Sequence, residues 1–307
     1  MSTLAERAEH AEPARTEPGH PGHKEPVEVA DGYRAGRTLP LRVELVRQLK
    51  RRRTMVMGGI LFALPLVLLI AFQVGGTPGE EGGNRVNLMD TATASGANFA
   101  AVNLFAAAGF LLVIPVALFC GDTVASEASW SSLRYLLAAP VPRARLLWSK
   151  LVVGLTLSLA AIVLLPVVAL VVGSVAYGWG PLELPTGGEI AQGAAAQALL
   201  ITVGYIFVSQ LVTAAMAFWL STRTDAPLGA VGGAVGLTIV GNVLDSVTAL
   251  GDWRDFLPAH WQYAWLDVVR PQPEYTDMIQ GVSVSITYAL VLFALAFRGF
   301  GRKDVVS

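Results

Sequence analysis

Residues 121–150, GDTVASEASWSSLRYLLAAPVPRARLLWSK, are the one long polar insert between strongly apolar runs that holds both patterned charge and a helical repeat. Trp130, Leu133, Leu136 and Leu137 recur at spacings of three and four, so a helix would place them on one face. Glu127 and Arg134 lie two turns apart beside that face. The chemistry open to such a set is recognition rather than bond making. An aromatic ring and leucines can fill a groove on a partner, while opposite charges set orientation with a smaller effect where exposed. Ala139 precedes Pro140, which disfavours the α region and should stop the helix. Pro142 suits the first turn of a following helix, and Arg143, Arg145 and Lys150 lead into the next apolar run.

The order Glu127, Leu133–Arg134, Leu136–Leu137, Pro140, Arg143, Leu147, Lys150 resembles the cytoplasmic segment between the second and third spans of type-2 ATP-binding-cassette exporter permeases. That family often carries Gly-Thr just before the Leu-Arg pair, where this chain has Ser131–Ser132. The resemblance implies a permease subunit, with the segment over 121–145 acting as a coupling helix between spans two and three. It assigns contact with an ATPase to Glu127, Trp130, Leu133, Arg134, Leu137, Pro140 and Arg143. It also implies a second permease subunit, as homodimer or heterodimer, and ATPase subunits on separate chains that bind ATP and Mg.

The composition belongs to a membrane protein. Of 307 residues, 53% are hydrophobic and only 15% charged, against about 25% charged in soluble domains, and mean hydropathy is +0.54. The single cysteine, Cys120, excludes an internal disulfide and any multi-cysteine metal site. None of Lys24, Lys50, Lys150 or Lys303 stands in a P-loop context, and neither His-Glu-x-x-His nor Gly-x-Ser-x-Gly occurs. The expectation is a chain with no catalytic residue, no metal site, no cofactor of its own and no nucleic-acid partner.

The elements that must position the segment follow in order. Residues 1–36 have no apolar period and read as a disordered tail, with His10, His20 and His23 solvated. Residues 37–54 read as a basic amphipathic helix, Leu41, Leu45, Val46 and Leu49 forming its stripe, held by its charge to anionic lipid. The rest, 55–307, is expected to carry six transmembrane helices, at 55–74, 98–119, 146–172, 194–220, 227–244 and 279–297. The fourth is the most polar and should face protein or a cavity. Pro65, Pro115 and Pro166 are expected to kink their spans. The fold class is therefore an all-α integral membrane protein with an N-terminal amphipathic helix and six spans.

Placing both termini in the cytoplasm puts 19 of the 22 Lys and Arg residues inside, leaving Arg85, Arg254 and Arg270 outside. The expected location is the plasma membrane. In the fifth span, Gly229 with Gly233 and Gly232 with Gly236 form two small-xxx-small pairs, which suit either packing within the chain or a dimer seam. Residues 251–276 hold Trp253, Phe256, Trp261, Tyr263, Trp265 and Tyr275, and read as an external interfacial or re-entrant segment. His260 reads as interfacial there, and Asp245 as lying near the outer surface. Two other functions fit the same span pattern: an ATP-independent carrier or channel, and a non-transporting scaffold for a cytoplasmic partner. The sparsity of acidic, His and Arg side chains within the spans argues against an ion-coupled carrier.

Overall fold

The structure is a computed structural model that describes residues 41–75, 88–129, 142–185, 187–270 and 272–301. Trp130, Leu133, Arg134, Leu137 and Pro140 lie outside the described residues, as does the N-terminal tail over 1–36.

Eight helices carry the described fold: α1 Leu41–Leu49, α2 Arg52–Gly75, α3 Gly96–Ala108, α4 Val113–Ser129, α5 Arg143–Tyr177, α6 Gln192–Arg223, α7 Pro227–Ser246 and α8 Thr276–Gly301. A two-residue antiparallel pair, β1 Leu182–Glu183 with β2 Glu189–Ile190, and short 3-10 segments complete it. Helices α2, α5, α6, α7 and α8 are each long and apolar enough to cross a membrane. Helices α3 and α4 add a sixth crossing when their bent pair is taken as one span. The protein is an all-α, multi-pass integral membrane protein.

Burial sorts the spans. Half of the apolar window of α6 is buried, against 11% for α2 and for α7. Helix α6 packs on α4, α7 and α8, which buries its polar residues Thr202, Gln210 and Thr213 away from lipid. The outer faces of α2 and α7 expose Phe62, Val67, Ile70, Leu237, Val240 and Val243, side chains suited to hydrocarbon.

The expected second span, 98–119, is not a single helix. The chain bends by 54° between α3 and α4, and α4 then continues ten residues past Phe119. At the break Leu112 N–H donates back to Ala107 O, so the carbonyl of Ala108 is left to side chains. The Nε2 groups of Gln210 and Gln262 both donate to it, at 3.3 and 2.8 Å. Pro115 sits in the first turn of α4, where its missing N–H is harmless. Pro65 and Pro166 lie inside α2 and α5, each of which runs on as one helix. Pro142 takes the N-cap position of α5 rather than its first turn.

Close backbone contact fixes α3 against α5. A Cβ on Gly96 would stand 2.8 Å from Ser174 N and 2.9 Å from its Cα, and one on Gly173 would stand 2.8 Å from Phe99 Cβ. Beside this crossing Asn98 grips the hairpin: its Nδ2 donates to Glu183 O at 2.7 Å, and Glu183 N–H donates to its Oδ1 at 2.9 Å.

The segment after α7 is two 3-10 stretches, Thr248–Phe256 and Ala264–Val268, rather than a re-entrant helix. Gly251 adopts φ +50, a conformation glycine tolerates, and kinks the first stretch. Its aromatics divide: Trp253 and Phe256 are exposed, whereas Trp265 and Trp261 are buried. Tyr205 of α6 donates its hydroxyl to Trp261 O, and His260 Nδ1 lies 2.7 Å from Asp245 Oδ1. The segment is thereby pinned to the helices beneath it.

Candidate functional site

Helix α1 meets α4 and α5, the two helices that flank residues 130–141, in a cluster of buried charge. Asp122 and Glu127 of α4 are 3% and 5% exposed, and Lys150 of α5 is 2% exposed. Charged groups so far from water require partners. Lys150 Nζ lies 3.1 Å from Glu127 Oε1 and 3.4 Å from Glu44 Oε1 of α1. Arg47 of α1 pairs with Glu127, and with Glu44 at 2.8 Å. Arg51 and Arg53 both pair with Asp122, and Arg51 Nη1 reaches Ser126 Oγ at 3.4 Å.

Local structure makes the arrangement possible. Glu44, Arg47, Gln48 and Arg51 recur at i, i+3, i+4 and i+7, so α1 turns one polar face toward α4 and α5. Of its apolar residues, Leu41, Val43, Val46 and Leu49 are exposed, while Leu45, expected on the lipid-facing stripe, is half-buried against the core. The expected continuous helix over 37–54 is instead split: α1 ends at Leu49, and residues 52–54 open α2. Thr54 Oγ1 donates to Gln48 O at 2.8 Å across the joint. The bend lets Arg51 and Arg53, two residues apart, converge on one carboxylate. The arginines sequence alone assigns to lipid are, at Arg47, Arg51 and Arg53, engaged with protein acids, because Glu127 and Asp122 are buried and need them.

Glu127, expected to help fix orientation through its charge, is a buried member of this cluster. Over 121–129 the expected coupling helix of 121–145 is the continuation of α4. Ser221 of α6 holds it there, its hydroxyl accepting from Val124 N–H at 3.2 Å and Ala125 N–H at 2.9 Å. Arg143 opens α5 as an exposed side chain whose Nη1 lies 3.4 Å from Gly301 O. Sequence reasoning missed Glu44, Arg47, Arg51, Arg53 and Asp122 as site residues. A signal was present: a lysine inside an apolar span and two acids directly after another demand partners nearby.

The glycine pairs of α7 separate. A Cβ on Gly233 would stand 2.9 Å from Leu220 Cδ1 of α6, a contact within the chain. Gly232 and Gly236 have nothing within 4 Å of a Cβ, and Gly229 meets only Ala226 and Thr224 near its own helix start.

Burial alone would raise the Glu44 carboxyl, but the charge of Lys150 and the charge and hydrogen bond of Arg47 outweigh it. They hold Glu44 below its ordinary value of 4.5. A depressed carboxylate pKa contributes stability that is fully present above the unfolded value and is lost as pH falls through the folded one. Docking of α1 is thus expected to persist through pH 5 and weaken only below about pH 4.5. An environment-sensitive dye at Val43→Cys, titrated in detergent, checks this; a transition centred between pH 6 and 8 would contradict it.

The profile of a family described as "Protein of unknown function (DUF2705)" matches residues 82–306. A relative from Bacillus subtilis (strain 168), described as "Uncharacterized protein YhcI", is 25% identical over 207 residues. The match covers 60% of this chain and spans 61% of the relative's length.

Proposed function

The chain belongs to DUF2705, and we propose that this member is the membrane-spanning permease subunit of an ATP-driven transporter of the ATP-binding-cassette type, an exporter worked by an ATPase on a separate chain. The observation that carries the reading is the ionic cluster. It ties α1 to the two helices that flank residues 130–141, so a force applied to that segment reaches two spans and a surface helix together. Rigid, fully paired charge suits transmission of displacement, because breaking any one pair would strand a buried ion. The exposed apolar side of α1 supplies a lipid-facing pivot.

In this reading Trp130, Leu133 and Leu137 form the docking face, with Arg134, Pro140 and Arg143 beside it. ATP and Mg are bound by the partner, since this chain has no P-loop sequence. The open strip of Gly232 and Gly236 suits close approach of a second permease subunit. The charge cluster lies at the helix ends rather than across the middle of the spans, which favours a coupling device over an ion relay.

The test of function is purification from native membranes: an ATPase chain should co-purify, and the complex should hydrolyse ATP. A chain that comes without an ATPase contradicts the reading. The proposed orientation has six spans, both termini cytoplasmic, and the plasma membrane as location. Single cysteines at Thr91 and Thr276 are expected to react with an impermeant maleimide on intact cells, and one at Ser131 only after permeabilisation. Cys120, the one native cysteine, is buried and gives little background. Labelling of Ser131→Cys on intact cells would overturn the topology.

A further inference from the structure

Val43, Val46 and Leu49 are exposed on the side of α1 turned away from α4 and α5, and the bases Arg42 and Lys50 are exposed among them. Lys50 N–H still donates to Val46 O at 3.1 Å, so it prolongs the last turn of the helix. At 3.6 residues per turn these five residues fall within about a third of the circumference. Only Lys50 and Arg51 separate α1 from α2, which begins at Arg52 and exposes Met55, Val56 and Ile60. The face therefore stands level with the start of the first span.

Charge around it is out of balance. The acids Glu44, Asp122 and Glu127 are already outnumbered by Arg47, Arg51, Arg53 and Lys150, which pair with them. Arg42, Lys50 and Arg52 remain, all exposed and with no acid partner among the described residues. Periodicity credits the whole basic helix to lipid; pairing withdraws Arg47, Arg51 and Arg53 and leaves these three. Their charge alone would equally suit an acidic peptide. Val43, Val46 and Leu49 between them, level with the start of a span, select a bilayer, into whose headgroup boundary such side chains sink. Arg42 and Lys50 are eight residues apart, about 12 Å by helical rise, so one phosphate cannot serve both.

We propose that this face binds anionic phospholipid of the leaflet at which α2 begins. One headgroup sits at Arg42 and a second at the joint, where Lys50 and Arg52 stand two residues apart. The site follows from the membrane-spanning fold and does not depend on the ATPase-coupling reading.

The test uses the purified full-length chain with an environment-sensitive dye at Val46→Cys, reconstituted in phosphatidylcholine vesicles; buried Cys120 gives little background. Phosphatidylglycerol or phosphatidylcholine carrying the same acyl-chain nitroxide is then added as quencher. The anionic quencher is expected to act at about one-fifth of the share needed for the zwitterionic one, or less, since each base near an anionic surface is worth about fivefold. The triple replacement Arg42→Gln, Lys50→Gln and Arg52→Gln should abolish that preference at an unchanged melting temperature. At 1 M salt, where the Debye length is about 3 Å, the preference of the chain with its three bases intact should also shrink, an arm that needs no charge variant to fold. Equal quenching by the two lipids would overturn the proposal, as would a preference that survives the triple replacement or is indifferent to salt. Quenching by neither lipid would overturn it too, showing the face covered by protein, and a Val46→Cys crosslink between copies would identify that cover as a second chain.

Discussion

Glu127→Ala is expected to cripple folding of the chain rather than to weaken a contact at its surface. Glu127 is 5% exposed and faces Lys150, itself 2% exposed, and Arg47. Truncation leaves the Lys150 ammonium deep in the protein with Glu44, 3.4 Å away, as its one remaining acid among the described residues. Removing one partner of a buried pair typically costs about 3–5 kcal/mol, a large part of the stability of most domains. The loss should appear as a sharp fall in monodisperse yield and melting temperature in detergent. The double replacement Glu127→Leu with Lys150→Met should recover most of it, because exchange of a buried ion pair for apolar side chains is often neutral or better. Arg47 can then keep Glu44, its neighbour on α1. Wild-type melting in Glu127→Ala would remove the cluster from the list of things that hold α1, α4 and α5 together.

A second large effect is expected at Gly96, and its contrast with Gly232 is the informative part. Gly232 lies inside α7, where by propensity alone Ala should help by about 1 kcal/mol, whereas Gly96 is the first residue of α3 and has less to gain. At Gly96 the added Cβ meets the backbone of Ser174, which cannot swing aside as a side-chain tip would. Helices α3 and α5 must separate, at a cost of about 1–3 kcal/mol or somewhat more for such overpacking. At Gly232 the same methyl meets nothing within 4 Å. Gly96→Ala should therefore lower the melting temperature, while Gly232→Ala should hold or raise it. The pair Gly232→Leu with Gly236→Leu should leave the single chain folded but shift its oligomer size downward. Equal melting of the two alanine variants would contradict the close crossing of α3 and α5.

The spans were legible because hydropathy over twenty residues is a local property. Helices α5, α6 and α7 begin within about three residues of the expected starts, and Pro227 marks the first turn of α7 as its chemistry suggests. The break at 109–112 was not legible. Residues 98–119 read as one apolar run, and the polar groups that make the bend tolerable, Gln210 and Gln262, are 102 and 154 positions away from Ala108. The charge cluster was hidden for the same reason. Arg47 and Glu127 are 80 residues apart, and Arg51 and Asp122 are 71 apart, so local reading assigned the arginines to lipid and Glu127 to contact with a partner. Helix periodicity does place Glu44, Arg47, Gln48 and Arg51 on one face, but not what that face meets. The docking residues Trp130, Leu133, Arg134 and Leu137 rest on spacing and resemblance, outside the described residues.

Those docking residues are where the proposed function is most exposed to refutation. An apolar anchor in a partner's groove commonly dominates binding, and a buried carboxylate in its place cannot be paired by chance. The direct measurement is a pull-down of the co-purified ATPase by the chain carrying Leu133→Asp, with ATP turnover recorded on the same reconstituted sample. The expected result is a folded permease, by its melting temperature, that no longer retains the ATPase and supports no coupled turnover. Full retention of the ATPase with wild-type turnover in Leu133→Asp would contradict the assignment of residues 121–145 as the place where ATP-derived force enters this chain.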